Sequence, residues 1–330
     1  MKKLRYVFEE VETCNMCGQP VSQSKVIGQR MNKSQGMKPK SNSGITTTVM
    51  KCANCQLIYA NPLPIPVDIQ DHYGVPPEDY WQEGYFTTDA NYFSEEISIL
   101  NKLLTPETGR KSLDIGAGLG KCMIALEKAE FEAYGFEPSI PFRERAISKM
   151  GIDADRLKLG MIEEVEYPPE FFDFVTFGAV LEHLYDPSAC IEKALKWLKP
   201  DGILHIEVPS SDYLIPKILN LYYRLIGTNY VNNISPMHEP FHLYEFGMKS
   251  FEEHSKRFDY DIAFHKYYVC GIYHIPKIFH PVLSRYMDKN DKGMQLAIWL
   301  RKRRYTLFTQ KPCIRVRHAL GCRLLDDSTN

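Results

Sequence analysis

Residues 113–120 read LDIGAGLG, and this stretch decides how the rest of the chain is interpreted. A strand-like run from Lys111 enters a turn of alternating glycines, which have no Cβ and therefore allow a sharp bend and the close approach of a ligand. The helix predicted to follow presents free N–H groups and a positive dipole end at this turn. The turn alone is a weak signal, because dinucleotide sites use a similar device.

The sequence on both sides of the turn alternates between strand-like and helix-like patterns. Apolar residues at helical spacing in 97–104 precede the turn and indicate a helix there. Strands that alternate with helices indicate a parallel sheet covered on both faces. We predict strands at 111–115, 133–137, 156–159, 172–177, 203–208, 260–269 and 293–300, and helices at 119–130, 140–149, 187–198 and 273–287.

Two acidic residues lie where a nucleoside ligand would need them. Glu137 ends the second strand, where a carboxylate accepts hydrogen bonds from ribose hydroxyls. Asp114 directly precedes the glycines, where an acid can hold an ammonium group. Adenosylmethionine carries such a group and NAD does not, and the G-x-G-x-G spacing departs from the dinucleotide pattern G-x-G-x-x-G. The residues therefore favour adenosylmethionine, with a dinucleotide or an unliganded glycine turn as alternatives.

The motifs resemble, in their order, those of class I S-adenosylmethionine-dependent methyltransferases. Besides 113–120 and Glu137 they are 172–187 (FDFVTFGAVLEHLYDP) and 198–204 (LKPDGIL). Residues 199–202 read KPDG where the family usually has KPGG, a departure that still makes the turn. The resemblance implies an α/β, Rossmann-like sheet that is parallel except for an antiparallel last strand, with adenosylmethionine as the cofactor and methyl transfer as the reaction.

The resemblance also implies which residues contact the cofactor. Family members often have an acid near 160–162 to reach the adenine amine; none is present there, and Glu163 is expected to lie too far along. Adenine contacts are therefore expected to be apolar and from the backbone. The implied residues are Asp114, Gly116, Ala117, Gly118 and Gly120 around the methionine part, Glu137 at the ribose, Met161 and Ile162 at the adenine, and Phe177 and Gly178 at the sulfonium.

Two C-x-x-C pairs precede these motifs. Each pair can present two thiolates to one metal, and four thiolates form the closed tetrahedral set that structural zinc prefers. The interval 18–51 exceeds the usual spacing of about 15–20 residues, and polar residues 28–48 are interpreted as a mobile loop that accounts for the excess. A redox dithiol, another metal or an iron–sulfur cluster, and buried thiols remain alternatives. The predicted zinc ligands are Cys14, Cys17, Cys52 and Cys55.

Residues 52–62 (CANCQLIYANP) resemble the second half of such a module in a methyltransferase subfamily that acts on sugars and other secondary metabolites. This resemblance implies a small-molecule acceptor: a sugar, a nucleotide-sugar or a secondary-metabolite intermediate. Enzymes that methylate base amines in nucleic acids typically carry an N/D-P-P-Y/F turn after the fourth strand, where this chain reads FGAV at 177–180. A nucleic-acid methyltransferase and a non-catalytic adenosylmethionine-binding protein remain the alternatives.

Three histidines are candidates for the general base that removes the acceptor's proton. His183 follows the fourth strand, whereas His238 and His242 lie in the insertion after the fifth, where the family usually builds its substrate lid. A turn-fixing role for His183 and surface positions for the other two are the alternatives. We expect His183 and His242 to approach the methyl group from opposite sides. The upstream aromatic residues, expected to cover the cofactor or to pack between module and core, are Tyr80, Trp81, Tyr85 and Phe86.

Composition sets the remaining expectations. The chain has 330 residues and a net charge of −1, which gives no global electrostatic reason to expect nucleic-acid or membrane binding. No transmembrane or signal segment is recognised, and an odd number of cysteines, 9, favours the reducing cytoplasm. We predict a zinc-binding module at 1–75, an aromatic connector and helix at 76–105, a methyltransferase domain at 106–300 with a lid at about 210–258, and a basic tail at 301–330.

Overall fold

The computed structural model describes residues 5–33, 44–68, 83–105 and 107–304. The strands are β1 (Tyr6–Glu9), β2 (Lys25–Met31), β3 (Thr46–Lys51), β4 (Ile58–Asn61), β5 (Leu63–Pro66), β6 (Lys111–Ile115), β7 (Glu132–Glu137), β8 (Leu157–Leu159), β9 (Phe172–Gly178), β10 (Leu198–Pro209), β11 (Tyr244–Glu245), β12 (Tyr260–Tyr268) and β13 (Gln295–Lys302). The α-helices are α1 (Ser94–Leu103), α2 (Lys121–Lys128), α3 (Ile140–Met150), α4 (Pro187–Trp197), α5 (Leu214–Leu225), α6 (Met248–His254) and α7 (His280–Lys289).

The largest sheet has seven strands in the order β12-β13-β10-β9-β6-β7-β8. Strands β10, β9, β6, β7 and β8 run parallel, whereas β13 is antiparallel to both of its neighbours. This confirms the α/β sheet with an antiparallel last strand. Strand order reverses between β6 and β9, and open α/β sheets bind ligands beyond the strand ends at such a point.

Both faces of this sheet are covered by apolar side chains. Leu113 pairs with Val175 across β6 and β9, and both belong to one buried cluster; Phe174 belongs to a second. Successive side chains on a strand point to opposite faces. Because Leu113 and Ile115 both pack in the first cluster, Asp114 between them points to the other face, which α1 and α2 cover.

The N-terminal part forms a second sheet in the order β11-β4-β3-β2, and β1 pairs with β5. Strands β2 and β3 form an antiparallel hairpin, so the interpretation of 28–48 as loop was wrong at its two ends. The run Thr46–Val49 is β-branched throughout and thereby favours a strand. Residues 34–43 lie outside the described part.

The insertion after β10 is more regular than the sequence suggested. It contains α5, β11 and α6, and β11 joins the N-terminal sheet by pairing Tyr244 with Tyr59. The helix predicted at 273–287 begins at His280 instead, because Pro281 favours the first helical turn. No helix among the described residues is long and apolar enough to cross a membrane. The predicted domain boundaries stay predictions.

Candidate functional site

The glycine turn after β6 is shaped by backbone conformation and by close packing. Gly116 and Gly118 have φ of +70° and +54°, in the left-handed region that glycine adopts most readily. A Cβ on Gly116 would come within 2.7 Å of Val180 Cγ2, whereas a Cβ on Gly118 would meet no atom within 4 Å. Gly116 is therefore needed for packing, and Gly118 borders open space.

The Glu137 carboxylate, at the end of β7, holds this turn through hydrogen bonds. Its Oε2 accepts a hydrogen bond from Gly118 N at 2.8 Å, and its Oε1 accepts one from Ser139 N at 2.8 Å. Burial raises the pKa of this carboxyl to about 7, although both amide hydrogen bonds lower it. Each carboxylate oxygen has two acceptor sites, so acceptor capacity remains for ligand hydroxyls.

Two cavities meet at the turn. The first, of about 460 Å³, is bordered by Glu137, and the second, of about 470 Å³, by Asp114. Shared wall residues join them: Gly116, Gly118, Phe142 and Ala179. The joined space lies beyond the carboxyl ends of the parallel strands, where the strand order reverses. Its two ends differ chemically, because apolar residues such as Met161 and Ile162 line the first cavity and charged residues such as Asp114 and Lys121 line the second.

Asp114 is a buried acid, 4% exposed, in the wall of the second cavity. Burial is the main cause that raises its pKa to about 8, and the only charged described group acting on it is Glu137, another acid. A buried carboxylate without a cation is costly, and a ligand ammonium would offset that cost. This acid therefore fits the role that the sequence predicts for it.

The second cavity also holds groups that sequence analysis missed. Glu207 from β10 and Lys121 from α2 line it, as does Tyr92. Burial raises the pKa of Glu207 to about 7. The sequence signal for Glu207 is a charged residue near the end of an otherwise apolar strand, HIEVP at 205–209.

The upstream aromatic residues divide into described and undescribed ones. Tyr85 lines the second cavity, and Lys121 Nζ lies 4.6 Å from the centre of its ring. The position of Tyr85 favours a role of the aromatic segment in covering the ligand, rather than in packing between the N-terminal module and the core. Phe86 forms part of the same short turn, Glu83–Phe86. Tyr80 and Trp81 lie outside the described residues.

Two of the predicted cofactor contacts need correction. Phe177 is fully buried in the core beside Ile115 and Ile206 and lines neither cavity, because alternation along β9 turns it away from the ligand face. Gly178, the next residue, borders the second cavity as predicted. Gly120 lines neither cavity; it caps α2 with φ +74° and so shapes the turn. Ala117 lines the second cavity.

The first cavity has the apolar character predicted for an adenine site. Met161 and Ile162 line it together with Val180 and Leu184. Glu163 borders the cavity as well, although its place in the sequence led to the expectation that it lies too far along the chain to reach the adenine. The turn after β8 is tight enough to bring three consecutive residues to one wall.

A cluster of three titratable side chains borders the first cavity. Glu182 Oε1 lies 3.9 Å from His183 Nε2 and 3.8 Å from His242 Nε2. The two imidazole rings are 4.9 Å apart, edge to face. Burial lowers the pKa of His242 to about 3, so its imidazole is neutral at ordinary pH. Of the three, His183 lines the cavity directly.

The lid reaches this cluster through backbone contacts. Leu243 N donates to Glu182 O at 2.9 Å, which places His242 beside the turn after β9. The expectation that His183 and His242 face each other across the acceptor was wrong, because the two rings are in contact. His238 lies outside this cluster, with its Nδ1 2.9 Å from the Glu239 carbonyl.

The four cysteines of the C-x-x-C pairs come together, with all Sγ atoms within 4.8 Å of one another. Cys14 Sγ lies 3.4 Å from Cys55 Sγ, and Cys17 Sγ lies 3.6 Å from Cys52 Sγ. These separations exceed the disulfide length of about 2.05 Å, so the residues are free thiols. Four thiols converging on one point fit a tetrahedral ion such as zinc.

Fold and site together define a class I methyltransferase architecture: a seven-stranded sheet with one antiparallel strand, a glycine turn and two carboxylates at its ligand edge. A family model described as a methyltransferase domain matches residues 89–263, which is more than half of the chain. The chain belongs to this family.

Relatives with similar sequences carry methyltransferase names. The chain is 25% identical over 146 residues to the methyltransferase YcgJ of Bacillus subtilis, covering 43% of this chain and 58% of the relative. It is 26% identical over 150 residues to a ubiquinone biosynthesis O-methyltransferase of Pseudomonas entomophila, covering 44% and 59%. The chain thus spans somewhat over half the length of these relatives. An S-adenosylmethionine-dependent methyltransferase structure from Mesorhizobium loti is 14% identical with a TM-score of 0.44, covering 62% and 96%.

Proposed function

We propose that this chain is an S-adenosylmethionine-dependent methyltransferase that acts on a small molecule: a sugar, a nucleotide-sugar or a secondary-metabolite intermediate. The observation that carries the proposal is the pair of buried carboxylates, Asp114 and Glu137, at the ends of neighbouring strands on either side of the glycine turn. The bound cofactor supplies an electrophilic methyl group on a positively charged sulfur. The side chains of the protein bind the acceptor and help to remove its proton.

Each part of the cofactor has a matching part of the joined cavities. Asp114 offers a buried negative charge for the ammonium group, and Lys121 offers a positive charge for the carboxylate. Glu137 offers its remaining acceptor capacity to the ribose hydroxyls. Met161 and Ile162 provide an apolar wall for the adenine. Gly118 leaves the open space that the ligand chain requires.

The acceptor is proposed to lie between the end of β9 and the lid, against His183 and His242. Both imidazoles are partly accessible, with side-chain exposures of 18% and 26%, whereas Glu182 beneath them is buried. They position the acceptor and help to remove its proton. His238, on the same lid, is proposed as a third residue that faces the acceptor. The ubiquinone biosynthesis O-methyltransferases among the relatives support a small, hydroxyl-bearing acceptor.

Transfer of radiolabelled methyl groups to pooled acceptors tests this proposal. Purified full-length chain is incubated with nucleotide-sugars, hydroxylated phenols or total RNA in separate reactions. Label is expected in the small-molecule pools. Label that enters only RNA would support a nucleic-acid methyltransferase instead, and adenosylmethionine binding without label in any pool would support a non-catalytic binding protein.

Cofactor binding is expected to release protons and to strengthen as pH rises towards about 8. In the free chain the pKa of Asp114 is about 8 and that of Glu137 about 7. A ligand ammonium favours the charged carboxylate, so the bound form holds fewer protons than the free form, and affinity increases with pH in this window. Calorimetry at pH 6.5 in buffers of different ionisation enthalpy measures the release. A binding heat that does not depend on the buffer would contradict this linkage. The Asp114→Asn variant should release fewer protons on binding than the wild type.

We propose that Cys14, Cys17, Cys52 and Cys55 hold a structural zinc ion. Four thiolates complete its coordination, so this site has no position left for a substrate. The ion would stabilise the N-terminal part of the chain by holding its two C-x-x-C turns together. The free thiols are also the basis for placing the protein in the reducing cytoplasm, which we propose as its location.

Metal analysis of purified protein is expected to show one zinc ion held by the four cysteines, and a Cys52→Ser/Cys55→Ser variant should contain one zinc ion fewer per chain than the wild type. Two of the four ligands are then missing, so no closed site can form. A Cys270→Ser variant is the matched control, because that thiol is exposed and outside the cluster. Full zinc occupancy in the double variant would show that the ligands are elsewhere.

A further inference from the structure

Glu182, His183 and His242 have a second possible use, as a set of metal ligands. One ligand atom from each residue can be chosen so that all three lie within 4.8 Å of one another, and Glu182 Oε1 lies 3.9 and 3.8 Å from the Nε2 atoms of His183 and His242. We propose that these residues bind a divalent cation with an open coordination position towards the acceptor. The inference rests on the proposed function and specifies its acceptor as one that presents a hydroxyl or enol oxygen.

Glu182 does not bind either histidine by a direct hydrogen bond, and its distances to them lie near those between ligands of one ion. The Oε1–Nε2 separations of 3.9 and 3.8 Å are beyond hydrogen-bond range. Zinc binds imidazole nitrogen and carboxylate oxygen at about 2.0–2.2 Å, which puts neighbouring ligand atoms of a tetrahedral site about 3.3 Å apart. Each Oε1–Nε2 separation has to shorten by about 0.5 Å to reach this spacing. The ligand atoms of the two histidines, which lie within 4.8 Å of each other, have to move closer as well.

The Glu182 carboxylate has few of the partners that a buried anion needs, and its own backbone N–H is the hydrogen-bond donor that stabilises its charged form. The residue is 1% exposed, and its Oε2 accepts no hydrogen bond from the described residues. In that same part of the chain, no lysine or arginine forms a salt bridge with it. An uncompensated buried carboxylate is strongly unfavourable, and a bound cation supplies the compensation.

His183 is oriented for ligation by the lid. Its Nδ1 lies 3.3 Å from the Phe241 carbonyl oxygen. A carbonyl can only accept, so Nδ1 carries the proton in this contact and Nε2 keeps its lone pair towards Glu182. A metal-bound histidine commonly donates its other ring N–H to a carbonyl in this way.

The composition of the set indicates a site that works on a substrate. Two imidazoles and one carboxylate are the ligands of catalytic zinc and of mononuclear iron(II) sites, which keep positions open. The four-cysteine site, in contrast, is closed. The open side here is the partly exposed face of His183 and His242, next to the first cavity.

The two histidines contribute to removal of the acceptor's proton by holding a cation at this place. The cation lowers the pKa of an acceptor hydroxyl beside it, and the O–H proton passes to solvent water. The new oxygen–carbon bond then forms as the sulfur–carbon bond breaks, and the electron pair of that bond stays on sulfur. The histidines serve as ligands throughout.

Manganese(II) is the probe that tests the site, because it favours oxygen and nitrogen ligands over the thiolates of the cysteine cluster. Full-length protein with its zinc in place is titrated with Mn²⁺, and free Mn²⁺ is measured by electron paramagnetic resonance. We expect one Mn²⁺ per chain. His242→Ala should weaken its binding by at least about 100-fold, more than the 10- to 100-fold that loss of an outer-shell partner produces.

Glu182→Gln keeps the shape of the buried side chain and should weaken binding similarly, while His265→Ala, at an exposed histidine on β12, should leave it unchanged. Equal Mn²⁺ binding by wild type, His242→Ala and Glu182→Gln, or no binding at all, would overturn the proposal. Adenosylmethionine binding is measured on the same samples. Cofactor binding without Mn²⁺ binding removes the cation site alone, whereas loss of cofactor binding in the wild type removes the proposed function.

Discussion

Replacing His242 by alanine is expected to lower the rate of methyl transfer by about 10²- to 10⁴-fold, the range for loss of a group that acts on the acceptor's proton. Affinity for the cofactor should remain nearly unchanged. The reason is that His242 comes from the lid and meets Glu182, whereas the cofactor cavities are lined by residues of the sheet edge and its loops. Formation of the demethylated cofactor, with an acceptor that the wild type methylates, measures the rate.

His265→Ala serves as the control for that experiment, because this histidine is exposed on β12 and lines neither cavity. Its rate should equal that of the wild type. A His242→Ala rate within a few-fold of the wild type would remove this residue from the chemistry. An acceptor with no proton to lose would give a much smaller effect.

Asp114→Ala and Glu137→Ala are each expected to weaken binding of adenosylmethionine by about 10- to 150-fold, equivalent to about 1.5–3 kcal/mol for hydrogen bonds to a charged group. Asp114→Ala removes the buried negative charge from the second cavity. Glu137→Ala removes a ribose acceptor and also releases Gly118 N and Ser139 N from their carboxylate partner. Calorimetric titration measures both affinities.

Asp155→Ala is the matched control, because this acid is exposed and borders neither cavity. Its affinity should match that of the wild type. Circular dichroism separates loss of binding from loss of folding in the Glu137 variant, whose carboxylate also holds the glycine turn. Wild-type affinity in Asp114→Ala would show that the ammonium group is held elsewhere.

The parts of the fold that could be predicted are those that depend on patterns of neighbouring residues in the sequence. The strands of the parallel sheet follow apolar runs, and the turn at 113–120 requires glycine, so β6, β7 and β9 agree with the sequence within a residue or so. Asp114 and Glu137 follow from their places next to that turn and at the end of a strand. These positions depend on near neighbours alone.

The parts that were missed depend on contacts between distant segments. Helix α5 buries Ile215, Leu219 and Tyr223 on one side, a helical spacing that was present in the sequence but lay within an insertion read as irregular. Strand β11 pairs with β4 from the other end of the chain. The contact of His242 with Glu182 arises in the same way, because the backbone of the lid binds the turn after β9.

Strand faces explain the remaining errors at the site. The place of Phe177 at the end of β9 predicts a ligand contact, but alternation along the strand puts Gly178 at the cavity and Phe177 in the core. Glu207 points to the same face as Gly178, its partner in the β9–β10 ladder, and its sequence position alone does not indicate this. The position of Glu207 at the cavity becomes evident only when the pairing of β9 with β10 is known.

Calorimetric titration of the purified full-length chain with adenosylmethionine and, separately, with NAD tests the central claim most directly. The account predicts saturable binding of adenosylmethionine and of its demethylated product, and no binding of NAD. The basis is the buried carboxylate of Asp114 in the wall of the second cavity, which suits an ammonium group that NAD does not have. Binding of NAD together with no binding of adenosylmethionine would contradict the account.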